Sequence, residues 1–166
     1  MKKSILIKIG SVGDVTLNSI KRVDQELLRI WKNKHRKNFF FQKIIDSKMQ
    51  KKWFRNYLLD PKNYMFIVKT NGYRIGCMGF KVTDKEAEIY NVILGDKRFQ
   101  GQGCMSQAFA GMCQYIRKIG IRGVVLKVLK TNKNAQKWYR KNGFEKEFSE
   151  KDCHVMRLKK LLPKNV

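Results

Sequence analysis

The chain has 166 residues, 43% of them hydrophobic and only 2 of them proline, which suits a single domain over 1–166 with one core and excludes a low-complexity chain. No apolar run approaches the ~18 residues of a transmembrane helix, and the four cysteines (Cys77, Cys104, Cys113, Cys153) form no Cys-x-x-Cys pair, so neither a membrane span nor a zinc or other metal site is expected. The net charge of +24 points to anionic partners, yet Lys and Arg are spread over the whole chain rather than gathered in a tail, which disfavours nucleic acid as the partner.

Met1-Lys2-Lys3 and the apolar residues after it start like a secretion signal, but Lys8 interrupts the run. A cytoplasmic protein with reduced thiols is expected. Ile5 to Ile9 reads as a first strand, with Gly10 to Gly13 as a turn. Asp24 is placed to cap a helix carrying Leu27, Leu28 and Trp31. Lys34-His35-Arg36 and the aromatic run Phe39-Phe40-Phe41 follow; the run reads equally as a core plug or as one wall of a pocket. Asp46 or Ser47 opens a second helix, with Met49, Trp53 and Tyr57 on one stripe, widened by Phe54 and Leu58. Asp60-Pro61 ends it.

Tyr64 to Thr70 and Tyr73 to Thr83 read as a hairpin about Asn71-Gly72. Gly76 and Gly79 inside the second strand suggest a bulge or a close backbone approach. Thr83-Asp84-Lys85 turns the chain into Glu86 to Leu94, with Glu86, Glu88 and Tyr90 on one face and Ala87, Ile89 and Asn91 on the other. Gly95 to Gly103 is a glycine-rich turn leading into a helix with Met105, Phe109, Met112 and Ile116 on its apolar face, ended by Gly120. Val124 to Leu129 has no room for a hairpin back, so strand, helix and strand form a right-handed parallel crossover. A helix over Asn134 to Lys141 ends at Asn142-Gly143. Phe144 to Phe148 and His154 to Leu158 pair as a last hairpin, and residues 159–166 are expected to fray.

The turn carries the chemistry. A strand, a glycine-rich turn and a helix start leave backbone N–H groups free at the positive end of a helix dipole, which suits a phosphate. Lys97 and Arg98 add charge there. A Rossmann turn needs a third glycine where Ser106 stands, and a P-loop needs Gly-Lys-Ser/Thr, which is absent.

Arg98-Phe99-Gln100-Gly101-Gln102-Gly103 resembles the Arg/Gln-x-x-Gly-x-Gly/Ala signature of the GCN5-related N-acetyltransferase (GNAT) family. Asn132, Ala135, Tyr139, Lys141, Gly143 and Phe144 fill every fixed position of that family's second pattern, Asn-x-x-Ala-x-x-x-Tyr-x-Lys-x-Gly-Phe. The resemblance implies an α/β (α+β) fold: a mixed, mostly antiparallel seven-stranded sheet, about four helices, and two central parallel strands that splay apart. It implies acetyl-CoA as cosubstrate. The backbone of Phe99, Gln100, Gly101, Gln102, Gly103, Cys104 and Met105, with Arg98, would hold the pyrophosphate, and Val92, Ile93 and Leu94 would pair with pantetheine. Asn132 would bond the pantetheine arm, and Lys133 and Lys137 would meet the 3′-phosphate. Tyr139 would donate to the sulfur.

The base that takes the amine proton is assigned to Glu88, the best-placed carboxylate of the strand beside the site; Glu86 one strand step further away, Tyr90 and Asn91 ordering a water, and His35 are the alternatives. The N-terminal pattern, with Trp31 to Arg36, the aromatic run, Trp53-Phe54 and the Gly95-Asp96-Lys97 lead-in, is similar to acetyltransferases of nucleotide-linked amino sugars in surface-glycan pathways. On that likeness Asn33, His35, Arg36, Phe40 and Tyr90 are candidate acceptor-binding residues, and the acceptor is a small anionic amine. Acetylation of protein N-termini and a non-catalytic nucleic-acid-binding role are the rival readings. The oligomeric state stays open, a homodimer included.

Overall fold

The computed structural model describes residues 2–10, 15–84 and 86–159. Eight strands form one sheet in the order β1-β2-β3-β4-β5-β6-β8-β7. The strands are β1 (Leu6–Ile9), β2 (Val15–Ser19), β3 (Asn63–Thr70), β4 (Tyr73–Thr83), β5 (Glu86–Leu94), β6 (Gly123–Leu129), β7 (Phe144–Ser149) and β8 (Cys153–Leu158). The helices are α1 (Gln25–Lys34), α2 (Ser47–Leu59), α3 (Cys104–Lys118) and α4 (Lys133–Lys141). Every neighbouring pair is antiparallel except β5 and β6.

The extra strand relative to the sequence expectation is β2. Its five residues, Val-Thr-Leu-Asn-Ser, alternate too briefly to stand out, but Val15 and Leu17 are buried and the strand bridges β1 to β3. The predicted turn over 10–13, Lys85 of the predicted Thr83–Lys85 turn and the predicted frayed end fall wholly or largely outside the described residues.

Local chemistry explains the element ends. Asn71 (φ 47°) and Gly72 (φ 79°) make the two-residue hairpin turn between β3 and β4. Asp46 caps α2 by accepting from the Met49 N–H at 2.7 Å. Asp24 precedes α1 but makes no such cap; its carboxylate accepts from the Lys21 N–H at 2.7 Å and lies 3.5 Å from Arg74. Gly143 (φ 86°) closes α4.

Two cores form, one on each sheet face. Helices α3 and α4 cover the first, where Phe66, Phe80, Phe109, Met112 and Phe144 are fully buried. Helices α1 and α2 cover the second, built from Leu28, Trp31, Phe54, Tyr57, Met65, Ile67, Cys77 and Ile93. Each such side chain contributes about 1.5–3 kcal/mol on burial, so the domain holds without a disulfide; all four cysteines are free. The predicted stripe of α2 divides. Tyr57 and Phe54 enter the core, Leu58 is 46% exposed, and Met49 and Trp53 border a cavity instead.

Candidate active site

The sheet is interrupted at its centre. β5 and β6 pair from Glu86↔Gly123 to Ile89↔Leu126 and then separate. Beyond that point Ile93 and Leu94 keep partners only on the outer side, Cys77 and Gly76 on β4, and Lys127 to Leu129 only at the start of β8. Main-chain groups on the inner sides are therefore free for something that enters the gap.

A bulge shapes this wall. Cys77 pairs with Ile93 and Gly79 with Tyr90, so Asn91 and Val92 together face Met78. Asn91 takes the left-handed conformation (φ 51°). The bulge reverses the alternation expected for β5. Ile89, Val92 and Leu94 face the α3 side, whereas Tyr90 and Ile93 face α1 and α2. Asn91, expected on the Ile89 face, instead turns its side chain to Lys32 of α1. Gly76 and Gly79 make this bend feasible: a Cβ on Gly79 would lie 2.5 Å from the Tyr64 carbonyl oxygen, and one on Gly76 would strike that of Ile93.

A cavity of about 810 Å³ runs through the gap and is lined from both sheet faces. Glu88, Tyr90, Val92, Ile93 and Leu94 form its β5 wall. Phe99, Gln100, Gly101, Gly103 and Met105 form its floor at the turn, and Asn132 and Tyr139 stand opposite. His35 and Phe40 close the α1 side. Asn33, Arg36, Arg98, Gln102, Cys104 and Lys137 do not line it. Asn33 spends both polar atoms on the Ile45 backbone, at 2.9 and 2.8 Å, and so pins the loop after α1. Arg36 donates to the Asn33 carbonyl at 3.2 Å. Arg98 lies outside, paired with Asp96 at 2.7 Å over the Tyr73 ring. The aromatic run divides: Phe40 and Phe41, 57% and 44% exposed, wall the cavity, whereas Phe39 lines it and also packs against the second core.

The turn has the geometry of an anion cradle. Gly101 (φ 80°) and Gly103 (φ 78°) are both left-handed, and a Cβ on either would meet no atom within 4 Å among the described residues. The first bond inside α3 runs from the Gln107 N–H to the Gly103 carbonyl at 3.0 Å. The amides of Cys104, Met105 and Ser106 therefore have no acceptor in the helix and point out of its positive end.

Tyr139 is fixed by packing. Its ring lies 5.9 Å from Phe109, 5.2 Å from Trp138 and 6.0 Å from Phe144, centroid to centroid. Gln136 anchors α4 to the end of β6 by donating to the Leu129 and Lys130 carbonyls at 3.0 and 3.1 Å. Asn132 caps α4, accepting from the Ala135 N–H at 3.2 Å. Burial pushes the Tyr139 phenol well up, so it keeps its proton at neutral pH. Burial also pushes up Tyr90, whose hydroxyl donates to Asn63.

Residues that sequence reasoning missed also line the cavity, among them Lys32, Asn38, Lys127 and Trp138. Lys32 was hidden because a lysine in a basic helix carries no signal by itself. With Lys97, Lys127 and Lys141 it makes the lining strongly cationic, against the single carboxylate of Glu88 among the described residues. Among the described residues, no group of His, Cys, Asp or Glu has metal-holding geometry, and no helix is long and apolar enough to cross a membrane.

His35 has a buried Nε2 with no hydrogen-bond partner among the described residues. Burial, then Lys34 and Lys97, lowers its pKa below the ordinary 6.5. Below pH 6.5 the unfolded chain takes up a proton that the folded site resists, so stability is lost as pH falls through that value and on through the lower folded one. His35→Gln is expected to reduce the fall in thermal midpoint between about pH 7.5 and 5.5. It will not abolish it, because His154 shifts in the same direction. An unchanged slope would count against this account of His35.

Residues 14–145 match the model of the acetyltransferase (GNAT) domain. No curated protein matches the chain by sequence. Among solved structures, the Salmonella typhimurium acetyltransferase that modifies the N-terminal serine of ribosomal protein L7/L12 superposes with a TM-score of 0.74 at 21% identity, over 92% of this chain and 96% of that one. FdhC, a nucleotide-linked sugar GNAT, has a TM-score of 0.74 at 17% identity, over 95% and 90%. Spermidine N-acetyltransferase from Vibrio cholerae, in complex with CoA and spermine, has a TM-score of 0.71 at 18% identity, over 86% and 92%.

Proposed function

The chain belongs to the GNAT acetyltransferase family, and from that premise we propose that it moves acetyl from acetyl-CoA to the primary amine of a nucleotide-linked amino sugar. The observation that carries this reading is the gap between β5 and β6, which joins a phosphate cradle, an unpaired strand edge and the Tyr139 phenol in one cationic cavity.

In this mechanism the Gly101–Ser106 amides take the pyrophosphate of acetyl-CoA. Pantetheine bonds the free inner edge of Val92 to Leu94, with Asn132 beside the arm. A main-chain N–H in the gap polarises the thioester carbonyl as charge develops on its oxygen. The neutral amine attacks the carbonyl carbon, a C–N bond forms and the C–S bond breaks. Tyr139 donates a hydrogen bond to the departing sulfur. The amine gives up one proton, received by Glu88 directly or through a water, and the thiolate gains one to leave as the thiol. A cationic lining favours an amine that carries its own negative charge.

Thiol release from acetyl-CoA tests the acceptor. A nucleotide-linked 4-amino sugar is expected to be turned over, while spermidine is not. Turnover of ribosomal N-terminal peptides alone would replace the acceptor and leave the donor site as described.

A further inference from the structure

A second, smaller cavity of about 290 Å³ opens off the first, between α1, α2 and the sheet. The two share Lys32, Phe41, Tyr90, Asn91 and Ile93 as lining. Its size is at the low end for ligand pockets, so it takes one ring system rather than a whole nucleotide-linked sugar. Most of its wall is apolar or aromatic, with Trp53, Phe41, Met49 and Met65 prominent. Flat aromatic and thioether surfaces suit a planar ring.

Two polar side chains in this wall are unusual. Gln50 is only 6% exposed, borders the cavity, and its amide makes no hydrogen bond among the described residues. The Gln50 amide atoms are not sealed off in the protein; they are open to the cavity, where they can bond an occupant. Lys32 stands where the two cavities meet. Its ammonium donates to Asn91 and sits 3.3 Å over the Phe39 ring. Among the described residues no carboxylate lies within 4 Å of it. Burial lowers its pKa to about 8. The neighbouring Cys77 thiol is pushed up to about 12 and stays neutral, so it offers no counter-charge. The cation is held in place by a ring face and an amide oxygen, both weaker partners than an anion.

We propose that the small cavity is the nucleotide subsite of the acceptor: its aromatic wall takes the base, the Gln50 amide reads the polar edge of that base, and the Lys32 ammonium at the mouth takes a phosphoryl oxygen. This rests on the amino-sugar reading above and extends it. The order base, phosphate, sugar then matches the order inner cavity, junction, main cleft. The amino sugar emerges beside Asn91, toward the gap and Tyr139. The same cation disfavours a polyamine, whose second ammonium would meet Lys32 with little water between.

Binding of uridine diphosphate is measured with the main cleft saturated by CoA, so that the cradle cannot take the probe. Wild type is expected to bind it, and far better than inorganic pyrophosphate. Lys32→Met, which keeps the length and the contact with Phe39, is expected to weaken binding about tenfold or more. Gln50→Leu is expected to weaken it less and to blur the preference among uridine, cytidine and guanosine diphosphates. In turnover, Lys32→Met is expected to raise KM for the nucleotide-linked sugar, with kcat and KM for acetyl-CoA nearly unchanged. Uridine diphosphate bound no better than pyrophosphate would overturn the proposal, as would a kcat loss with an unmoved acceptor KM. If sugars are acetylated but Lys32→Met leaves their KM unmoved, this subsite fails alone. If only spermidine or peptides are acetylated, the subsite and the acceptor reading fall together.

Discussion

Tyr139→Phe is expected to lower kcat by about 10²-fold or more while leaving KM for acetyl-CoA close to that of wild type. The ring stays, so the packing with Phe109, Trp138 and Phe144 is kept and α4 does not move. What is lost is one hydroxyl facing the cavity, with no hydrogen bond inside the protein among the described residues to compensate. Its raised pKa makes it a poor acid in the resting enzyme, so its value lies in a hydrogen bond that strengthens as negative charge grows on sulfur. Stopped-flow or steady-state thiol release measures the effect. A loss seen mainly in KM would mean that the hydroxyl binds the donor in its ground state and does not act on the departing sulfur. A kcat within twofold of wild type would remove Tyr139 from the reaction.

The second large effect is expected at Gly103. Gly103→Val should weaken acetyl-CoA binding by about a hundredfold, beyond any effect on folding. A β-branched residue at φ 78° costs about 1–2 kcal/mol in strain. An added Cβ meets no atom within 4 Å among the described residues, so strain is the main folding penalty. In the complex the same side chain occupies the space into which the free amides of α3 point, where the pyrophosphate would sit. Gly120 provides the control. It has a similar left-handed backbone (φ 89°) and equally open surroundings for a Cβ, but lies beyond the other end of α3. Gly120→Val should lose similar stability and leave acetyl-CoA affinity unchanged. Equal affinities for the two variants, measured by calorimetry, would show that the turn at Gly103 does not hold the donor.

Much of the fold was legible because its signals are local. The bounds of β4 and β5 follow from the Asn71-Gly72 turn and from the strand pattern itself. Asp46, Gly120 and Gly143 mark helix ends by chemistry that needs no tertiary partner. The candidate donor site was legible for the same reason, since Gly101, Gly103, Asn132 and Tyr139 stand at fixed spacings on one turn and one helix. β2 escaped because five half-buried residues gain their order from β1 and β3.

The acceptor side was legible only in part: His35, Phe40 and Tyr90 line the cavity while Asn33 and Arg36 do not, and the reason is physical. Which way a side chain of β5 points depends on the bulge at Asn91, and the bulge depends on β4 as much as on β5. Asn33 and Arg36 lie on the expected helix, yet their polar atoms are used to hold the loop after α1. Lys32, their neighbour, was one lysine among many until α1 packed Trp31 against Gly95 and thereby set the ammonium over Phe39 and Asn91. Sequence alone therefore determined the family, the order of elements after residue 60 and the turn that suits a phosphate, because these rest on spacing and backbone chemistry within short stretches. Only the tertiary structure decided which cations face the cavity, where the sheet parts and that a second cavity bordered by Gln50 lies behind it, because each of those is a contact between segments far apart in the chain.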